Sequence, residues 1–351
     1  MKKIYQLVHT LSYGDAISGE VLALDRVLKS LGFESKIYAI NEHPKLKGET
    51  IKYNELPNDF DGEVVLHYSL GSPLNNLYKN LAKAKKTLIY HNITPSHWFK
   101  GSNPRIVNDI EQGIQEFPEM LEISDRIISD SKFNAEEVKK LGFESIVLDL
   151  PIDPARWNLE TNIGIATQLQ NDPSTHIIHV GRLAPNKCIE DIIKTFYFYH
   201  ETINKNCKLW LVGIDIDTEV YSYSLKRLVN FLGLEEKVKF VGCFADTELK
   251  ALYENSTIYL CMSEHEGFCM PVIEAMSFGL PVLAYASSAV PDTIGKGGVL
   301  VNHKEHLELA ILIDEILNNQ ELKSKLIQAG KERVGQLSIE NFKQNVKNLF
   351  L

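Results

Sequence analysis

Short apolar runs alternate with helix-like segments along almost the whole chain. Each run has the length of a strand that is buried on both faces, and the segments between the runs have the apolar spacing of helices. This alternation is typical of βαβ units that build a parallel sheet. In the first half, the predicted strands are Ile4–Val8, Lys36–Ala39, Val64–His67, Thr87–His91, Arg126–Ser129 and Ile146–Leu148, and the clearest helices are Glu20–Leu31 and Asn134–Leu141.

A second series of apolar runs follows a break in the pattern. Two prolines in Asp149–Trp157 break any regular element there, and the polar stretch Asn158–Ser174 predicts irregular structure. The second series predicts strands at His176–Val180, Leu209–Val212, Val238–Val241, Thr257–Cys261, Val282–Ala284 and Val299–Val301.

Two series of this kind predict an α/β fold with two Rossmann-like parallel-sheet domains, at residues 1–150 and 151–337. A cleft between two such domains is a common place for a ligand. Residues 338–351 predict an amphipathic helix with Phe342, Val346 and Leu349 on one face, and we expect this helix to pack back on the first domain.

Charge and cysteine content exclude several classes of protein. The 351 residues carry a net charge of −9, so the basic excess expected of a nucleic-acid-binding protein is missing. The five cysteines form no C-x-x-C pair, which argues against zinc and favours reduced thiols and a cytoplasmic location. No run of apolar residues is long enough to span a membrane, and the N-terminal residues predict a buried strand rather than a signal peptide.

Two glutamates eight positions apart mark the first candidate site. Glu266 lies between a predicted strand and Gly-Phe, and Pro271 suits the first position of a helix, which places Glu274 in the first helical turn. Free N–H groups at such a helix start attract anions, whereas the carboxylates can bind hydroxyl groups. The pattern therefore favours a sugar nucleotide, although Glu274 alone could simply complement the helix dipole.

Two cations mark a second candidate site in the same half of the chain. Arg182 and Lys187 follow the predicted strand His176–Val180, at the sheet edge where parallel α/β folds bind ligands. Together they could neutralise a diphosphate. The alternative is a pair of solvated surface charges.

These two segments resemble a known family. Gly181-Arg-Leu-x-x-x-Lys187 and Glu266-Gly-Phe-x-x-Pro-x-x-Glu274 are similar to motifs of the retaining GT-B glycosyltransferases of family four, the group 1 transferases. The resemblance implies that Arg182 and Lys187 bind the donor diphosphate, that Glu274 binds the ribose and that Glu266 approaches the donor sugar. It further implies that the backbone of Gly267, Phe268, Cys269 and Met270 cradles sugar and phosphate oxygens, and that Val241 and Gly242 contact the base.

The first half offers weaker candidates. His91 follows a predicted strand and matches a histidine that the family places near the donor sugar, although a lone histidine often has only a structural role. His67 is a parallel but weaker case. Gly14 lies on the loop after the first strand, which lacks the G-x-G-x-x-G spacing and departs from the family's Gly-Gly loop. This loop could meet a phosphate or an acceptor, or it could be a plain tight turn.

We expect no metal site and no cofactor beyond the donor substrate. Asp215 and Asp217 form a D-x-D pattern on the loop after the predicted strand Leu209–Val212, and a solvated loop is the better interpretation. The resemblance likewise implies a metal-independent enzyme.

The resemblance implies transfer of a hexose, with retention, from a nucleotide-diphosphate sugar such as GDP-mannose or a UDP-hexose. The expected acceptor is a glycan or a lipid-linked glycan in surface polysaccharide or lipopolysaccharide biosynthesis. A lipid-linked acceptor would place this cytoplasmic protein peripherally at the inner membrane face. The alternatives are a GT-B sugar-nucleotide epimerase and an inactive nucleotide- or carbohydrate-binding subunit.

Overall fold

The computed structural model describes residues 2–351 and divides into two compact units. Unit 1 comprises residues up to 97, 104–151 and 337–351, and unit 2 comprises residues 98–103 and 152–336. Each unit contains one parallel sheet with helices.

The sheet of unit 1 has seven parallel strands in the order β3-β2-β1-β4-β5-β6-β7. Every residue of the central strand β4 is buried, as expected when helices cover both faces of a parallel sheet. The strands are β1 (Lys3–Leu11), β2 (Glu34–Glu42), β3 (Ile51–Lys52), β4 (Glu63–Tyr68), β5 (Lys85–Tyr90), β6 (Arg126–Ser129) and β7 (Ile146–Val147), and the helices are α1 (Ala16–Ser30), α2 (Pro73–Asn80), α3 (Pro104–Glu122) and α4 (Lys132–Lys140).

The sheet of unit 2 has six parallel strands in the order β10-β9-β8-β11-β12-β13. Its core is built from aliphatic residues of these strands and of the flanking helices. The strands are β8 (Thr175–Val180), β9 (Cys207–Val212), β10 (Val238–Gly242), β11 (Ile258–Cys261), β12 (Val282–Tyr285) and β13 (Val299–Val301), and the helices are α5 (Pro154–Trp157), α6 (Ile163–Gln170), α7 (Ile189–Phe198), α8 (Glu219–Phe231), α9 (Asp246–Asn255), α10 (Met270–Ser277), α11 (Val290–Ile294), α12 (His306–Asn318) and α13 (Gln320–Gln336).

Both sheets have the strand order of doubly wound folds. The first strand of each series lies inside the sheet, and the following strands are added first on one side of it and then on the other. The order reverses between β1 and β4 in unit 1, and between β8 and β11 in unit 2. Ligands of such sheets bind outside the carboxyl ends of the strands at this reversal. In unit 2, the loops after β8 and β11 are therefore the first place to look for a site.

The C-terminal helix α14 (Ile339–Phe350) belongs to unit 1. Phe342, Val346 and Phe350 are buried in the same apolar cluster as residues of α1 and of the sheet. Its side chains thus complete the core of the unit that contains the start of the chain.

All twelve strands predicted from the sequence are present, and the structure adds the short strand β3. Two expectations about the connecting segment were wrong. Residues 158–174 contain the helix α6, which begins where the Asn162 side chain accepts a hydrogen bond from the Ile165 N–H. The preceding segment contains the short helix α5, capped in the same way by Asp153. Among residues 2–351, no helix is long and apolar enough to cross a membrane.

Candidate functional site

The loops after β8 and β11 are joined by a buried ion pair. The Lys187 ammonium donates a hydrogen bond to Oε2 of Glu266 at 2.6 Å, although the two residues lie 79 positions apart in sequence. Their side chains are 21% and 8% exposed. The structure thus brings together one residue from each of the two sequence motifs, at the reversal of strand order in unit 2.

The ion pair keeps both groups charged. Burial alone would raise the pKa of Glu266, but the Lys187 ammonium, together with hydrogen bonds from Ser263 and Cys269, lowers this pKa. Burial alone would likewise lower the pKa of Lys187, and the Glu266 carboxylate raises it. An anionic carboxylate and an ammonium group with further N–H donors therefore stand side by side at the carboxyl edge of the sheet.

Backbone hydrogen bonds fix the two loops to each other. The Asn186 side-chain amide donates to the carbonyl of His265 at 2.9 Å, and the Glu264 N–H donates to the carbonyl of Asn186 at 2.9 Å. The Glu266 N–H donates to Oγ of Ser288 at 2.7 Å. These bonds hold the backbone at Glu266 in place independently of the contact between its side chain and Lys187.

Glu274 lies in the second turn of α10, not in the first turn as predicted. The helix begins at Met270 because Cys269 adopts a left-handed conformation with φ of 78°, so Pro271 is its second residue and Glu274 its fifth. A carboxylate this far along the helix gains little from the N-terminal dipole, which acts mainly within the first turn. The dipole alternative for Glu274 is therefore weakened.

The Glu274 carboxylate is buried among polar partners. Arg156 donates to Oε1 through Nη1, and the Tyr253 hydroxyl donates to Oε2 at 3.1 Å. Arg156 also donates to Oδ1 of Asp246 through Nε at 3.2 Å and Nη2 at 2.9 Å. The sequence analysis did not identify Arg156, Tyr253 or Asp246. The only signal was Asp153-Pro154 before Arg156, a pair that is typical of a helix start.

The segment Gly267–Met270 forms the end of the β11 loop and the start of α10. Phe268 is buried, and its carbonyl accepts a hydrogen bond from the Thr293 hydroxyl. The first N–H groups of a helix have no partner within the helix, so this turn can offer donors to an anion.

Arg182 is directed toward the loop after β9. Its Nη2 donates to the carbonyl of Ile216 at 2.6 Å. In the same loop, the backbone carbonyl and Oδ1 of Asp217 each accept a hydrogen bond from Asn103 at 3.3 Å, and the Thr218 N–H donates to the carbonyl of Asp215 at 2.9 Å. The two aspartates of the D-x-D pattern thus take part in a turn.

Glycines let the ends of β8, β9 and β10 approach closely. A Cβ added to Gly213 would lie 1.8 Å from the carbonyl oxygen of Gly181, so no larger residue fits there. The Gly213 N–H donates to the carbonyl of Gly242 at 2.9 Å. Val241 and Gly242, the candidate base contacts, therefore end a strand two positions from β8 in the same sheet.

In unit 1, the His91 side chain is completely buried in a hydrogen-bonded chain. His91 Nε2 and His67 Nδ1 are 2.8 Å apart, and His67 Nε2 lies 2.9 Å from Oε1 of Gln6. On the other side, His91 Nδ1 lies 3.2 Å from Oδ2 of Asp130 and 3.5 Å from Oε2 of Glu20. The Gln6 oxygen can only accept a hydrogen bond, so His67 donates its Nε2 proton to Gln6 and His91 donates its Nε2 proton to His67. Both protons therefore point away from the carboxylates, unless His91 carries a second proton on Nδ1.

The carboxylates favour that second proton on His91. Burial alone would lower the pKa of His91, but Glu20 and Asp130 raise it. Burial and the charge of His91 hold the pKa of His67 well below its usual value, and burial raises the pKa of Glu20 to about 7. His91 is thus enclosed by its own unit, which accounts for its position without a substrate.

The loop that carries Gly14 is closed by an acid. Gly14 has a φ of 77°, as a tight turn requires, and the next residue, Asp15, accepts a hydrogen bond from the Ser18 N–H at 3.0 Å. A carboxylate at this helix start opposes binding of a phosphate there. The prediction of an anion contact at Gly14 remains untested and has less support.

Three groups of side chains in the described part of the chain hold possible metal ligands close together. In the group of Glu20, His67 and His91, the 2.8 Å between the two imidazole nitrogens suits a shared proton. Two nitrogens bound to one tetrahedral zinc ion would lie about 3.3 Å apart. In the group of Cys261, Glu266 and Cys269, an ion would have to displace Lys187.

The fold of the two units matches that of solved structures. Over 99% of this chain and 99% of that chain, the fold matches Anabaena HepE in complex with UDP-glucose, with a TM-score of 0.77 and 17% identity. Sucrose-phosphate synthase from Thermosynechococcus elongatus matches over 100% of this chain and 98% of its own, with a TM-score of 0.79 and 18% identity. The predicted fold class, GT-B with two Rossmann-like sheets, is confirmed.

The sequence comparisons concern unit 2. Residues 165–333 match the model of the family described as glycosyl transferases group 1, which confirms the resemblance for this part of the chain. Among curated relatives, the GDP-mannose:cellobiosyl-diphosphopolyprenol α-mannosyltransferase of Xanthomonas oryzae is 27% identical over 147 residues, 41% of this chain and 38% of the relative. The matched segment spans less than half the length of the curated relatives.

Proposed function

We propose that this protein is a retaining glycosyltransferase that transfers a hexose from a nucleotide-diphosphate sugar. The observation that carries the proposal is the buried Lys187–Glu266 pair, which joins the loops after β8 and β11. The pair lies in the unit that matches the group 1 family, at the sheet edge where doubly wound folds bind ligands.

Lys187 and Arg182 supply the positive charge for the donor diphosphate. Lys187 uses one of its three N–H donors on Glu266, so two remain for phosphate oxygens. Arg182 contacts Ile216 through one nitrogen, and its guanidinium has further donors. Preorganised cations of this kind stabilise the charge that develops on the leaving diphosphate, and one such group contributes about 10²–10³ in rate.

Glu266 faces the donor sugar in this proposal, and Glu274 binds the ribose. Both carboxylates are buried, but they have separate partners: Lys187 holds Glu266, whereas Arg156 and Tyr253 hold Glu274. The backbone of Gly267, Phe268, Cys269 and Met270 cradles oxygens of the sugar and phosphate, and Val241 and Gly242 contact the base.

Retention is proposed to proceed by attack on the same face of the sugar that the diphosphate leaves. A double displacement needs two carboxylates about 5 Å apart across the sugar, and Glu274 is assigned to the ribose. The leaving phosphate oxygen then accepts the proton of the attacking hydroxyl. Lys187 and Arg182 assist by stabilising the charge on that oxygen, so no metal ion is required.

The donor is proposed to be GDP-mannose or a UDP-hexose. The Xanthomonas relative uses GDP-mannose by its name, and the HepE structure holds UDP-glucose. By the same comparison, the acceptor is a glycan or a lipid-linked glycan of surface polysaccharide or lipopolysaccharide assembly. A lipid-linked acceptor would bring a cytoplasmic enzyme to the inner membrane face. His91 and the Gly14 loop belong to unit 1, which is proposed to serve the acceptor.

A thermal-shift screen with UDP, GDP and ADP tests the donor site. A nucleotide at 100 times its Kd stabilises the protein by about 2.7 kcal/mol, which corresponds to roughly 5–11 °C for a unit of this size. One base should give this shift, with or without EDTA. The Lys187→Met variant should lose the shift, whereas Lys208→Met, which removes an ion pair at the opposite end of the sheet, should keep it.

A transfer assay with the matching sugar nucleotide then tests the reaction. The anomeric proton coupling of the product, measured by NMR, distinguishes retention from inversion. Release of an epimerised donor without acceptor would favour an epimerase. If a nucleotide binds while hydrolysis and transfer are both absent with a range of glycan acceptors, the chain is a binding subunit and the proposal fails.

A further inference from the structure

Arg156 occupies a fixed position beside Glu274. Its guanidinium donates to Glu274 on one side and through two nitrogens to Asp246 on the other. Its guanidinium carbon also lies 4.5 Å from the ring centre of Trp157. A planar group with a carboxylate on each side and a ring against its face has little freedom to rotate.

The ring partners of Arg156 are themselves packed. Trp157 meets Tyr253 edge-on with ring centres 5.8 Å apart, and it meets Phe278 in the same way at 5.1 Å. Tyr253 and Phe278 stack at 5.1 Å. This aromatic cluster fixes the Tyr253 hydroxyl, the second donor to Glu274.

The two donors leave part of the Glu274 carboxylate available. A carboxylate offers about four acceptor positions on its two oxygens. Arg156 takes one position on Oε1 and Tyr253 takes one on Oε2. One acceptor position on each oxygen is therefore not used by these two donors, and the residue as a whole is 6% exposed.

We propose that Arg156 is a positioning residue of the donor site: together with Tyr253, it orients the Glu274 carboxylate so that the two remaining acceptor positions of this carboxylate receive the two hydroxyl groups of a nucleoside ribose. The inference rests on the proposed function, in which Glu274 binds the ribose, and it adds Arg156 as the residue that orients Glu274. Arg156 itself does not contact the ribose.

The charge of Glu274 depends on Arg156. The groups that face this carboxylate are Arg156 from α5, and Asp246 and Tyr253 from α9. Burial raises the pKa of Glu274 even with Arg156 in place, and Asp246 acts in the same direction. Removal of the guanidinium therefore raises this pKa further, and a protonated Glu274 loses one of its acceptor positions.

The experiment compares ribose and deoxyribose ligands. Isothermal titration calorimetry measures the affinity for the nucleoside diphosphate that binds best among UDP, GDP and ADP, and for its 2′,3′-dideoxy form, between pH 6 and pH 9. The wild type should prefer the ribose form by about tenfold or more per hydroxyl, and this preference should change less with pH than that of Arg156→Met. Arg156→Met should lose most of the preference at pH 6 and regain part of it by pH 9, and Arg156→Lys should lie between the two.

Steady-state kinetics gives a second readout for the same variants. Arg156→Met should raise the donor KM by about tenfold or more and change kcat little, because the contact exists in the ground state and in the transition state alike. Asp246→Asn leaves Arg156 present but less fixed, and it should give a smaller increase in KM. This variant also covers the case in which Arg156→Met does not fold.

Lys208→Met is the matched control. The Lys208–Asp172 pair is as exposed as the Arg156–Asp246 pair, at 29% and 19% against 28% and 15%, and it lies near the amino end of β9. This variant should keep the full ribose preference. An unchanged, pH-independent preference in a folded Arg156→Met variant would overturn the inference, as would tighter nucleotide binding, which would mean that Arg156 blocks Glu274. If the wild type binds none of the three nucleotides, the proposed function fails and the inference fails with it.

Discussion

Lys187→Met tests the central ion pair. The variant leaves the Glu266 carboxylate buried at 8% exposure without its counterion. Breaking a buried pair on one side costs about 3–5 kcal/mol, and we expect the lower end because Lys187 is 21% exposed. A loss of about 3 kcal/mol lowers the Tm of a unit of this size by roughly 6–12 °C.

The loss of stability in the Lys187→Met variant should depend on pH in a defined direction. Glu266 has a lowered pKa in the folded state, so its contribution to stability is present above its unfolded pKa of about 4.3 and is lost as the pH falls through the folded pKa. Lys187 has a raised pKa, so its contribution is present below about 10.4 and is lost at higher pH. The gap in Tm between wild type and variant should therefore be full at pH 7 and close as the pH falls through the folded pKa of Glu266.

Differential scanning calorimetry of the full chain measures this gap, with Lys208→Met as the control. The control removes a more exposed pair, which contributes about 0–1 kcal/mol. In the double variant Lys187→Met/Glu266→Gln, the neutral amide should recover part of the loss, because no uncompensated charge remains. A Lys187→Met variant that melts within about 2 °C of the wild type at pH 7 would refute the buried pair.

Three further predictions concern catalysis, packing and pH. Glu266→Gln should lower kcat and Glu274→Gln should chiefly raise the donor KM, so that one shared kinetic signature would contradict their separate roles. Gly213→Ala should lower the Tm and weaken nucleotide binding, because the added methyl group would lie 1.8 Å from the carbonyl oxygen of Gly181. The control Gly335→Ala adds a methyl group in open space on a helix, and it should raise stability by about 0.5–1 kcal/mol. Burial raises the folded pKa of Glu20 to about 7, so the stability of the protein is full below pH 4 and decreases as the pH rises through 7. The Glu20→Gln variant should therefore melt at a higher temperature than the wild type at pH 8, but not at pH 4.

The sequence predicted the sheets well because strands buried on both faces leave a strong local pattern. It also placed Lys187 and Glu266 on loops after strands, and the reversal of strand order explains why these two loops meet. The contact of Glu274 with Arg156 could not be predicted, since the two residues lie 118 positions apart and Arg156 is in a segment that the prolines made appear irregular.

Local conformation accounts for the other errors. The start of α10 depends on the left-handed Cys269, a conformation that a cysteine side chain does not indicate. The helix α6 was missed because the surrounding polar residues concealed the capping role of Asn162. The burial of His91 likewise depends on Glu20 and Asp130, which come from two other segments of the chain.

Lys187 is shared between the protein and the proposed ligand, and this sharing couples two equilibria. A diphosphate that draws the ammonium group toward its oxygens weakens the contact that lowers the pKa of Glu266. By thermodynamic reciprocity, the nucleotide raises the proton affinity of Glu266, and protonation of Glu266 in turn raises the affinity for the nucleotide. Donor binding should therefore take up protons in the acidic range, in an amount that buffers of different ionisation enthalpy would reveal.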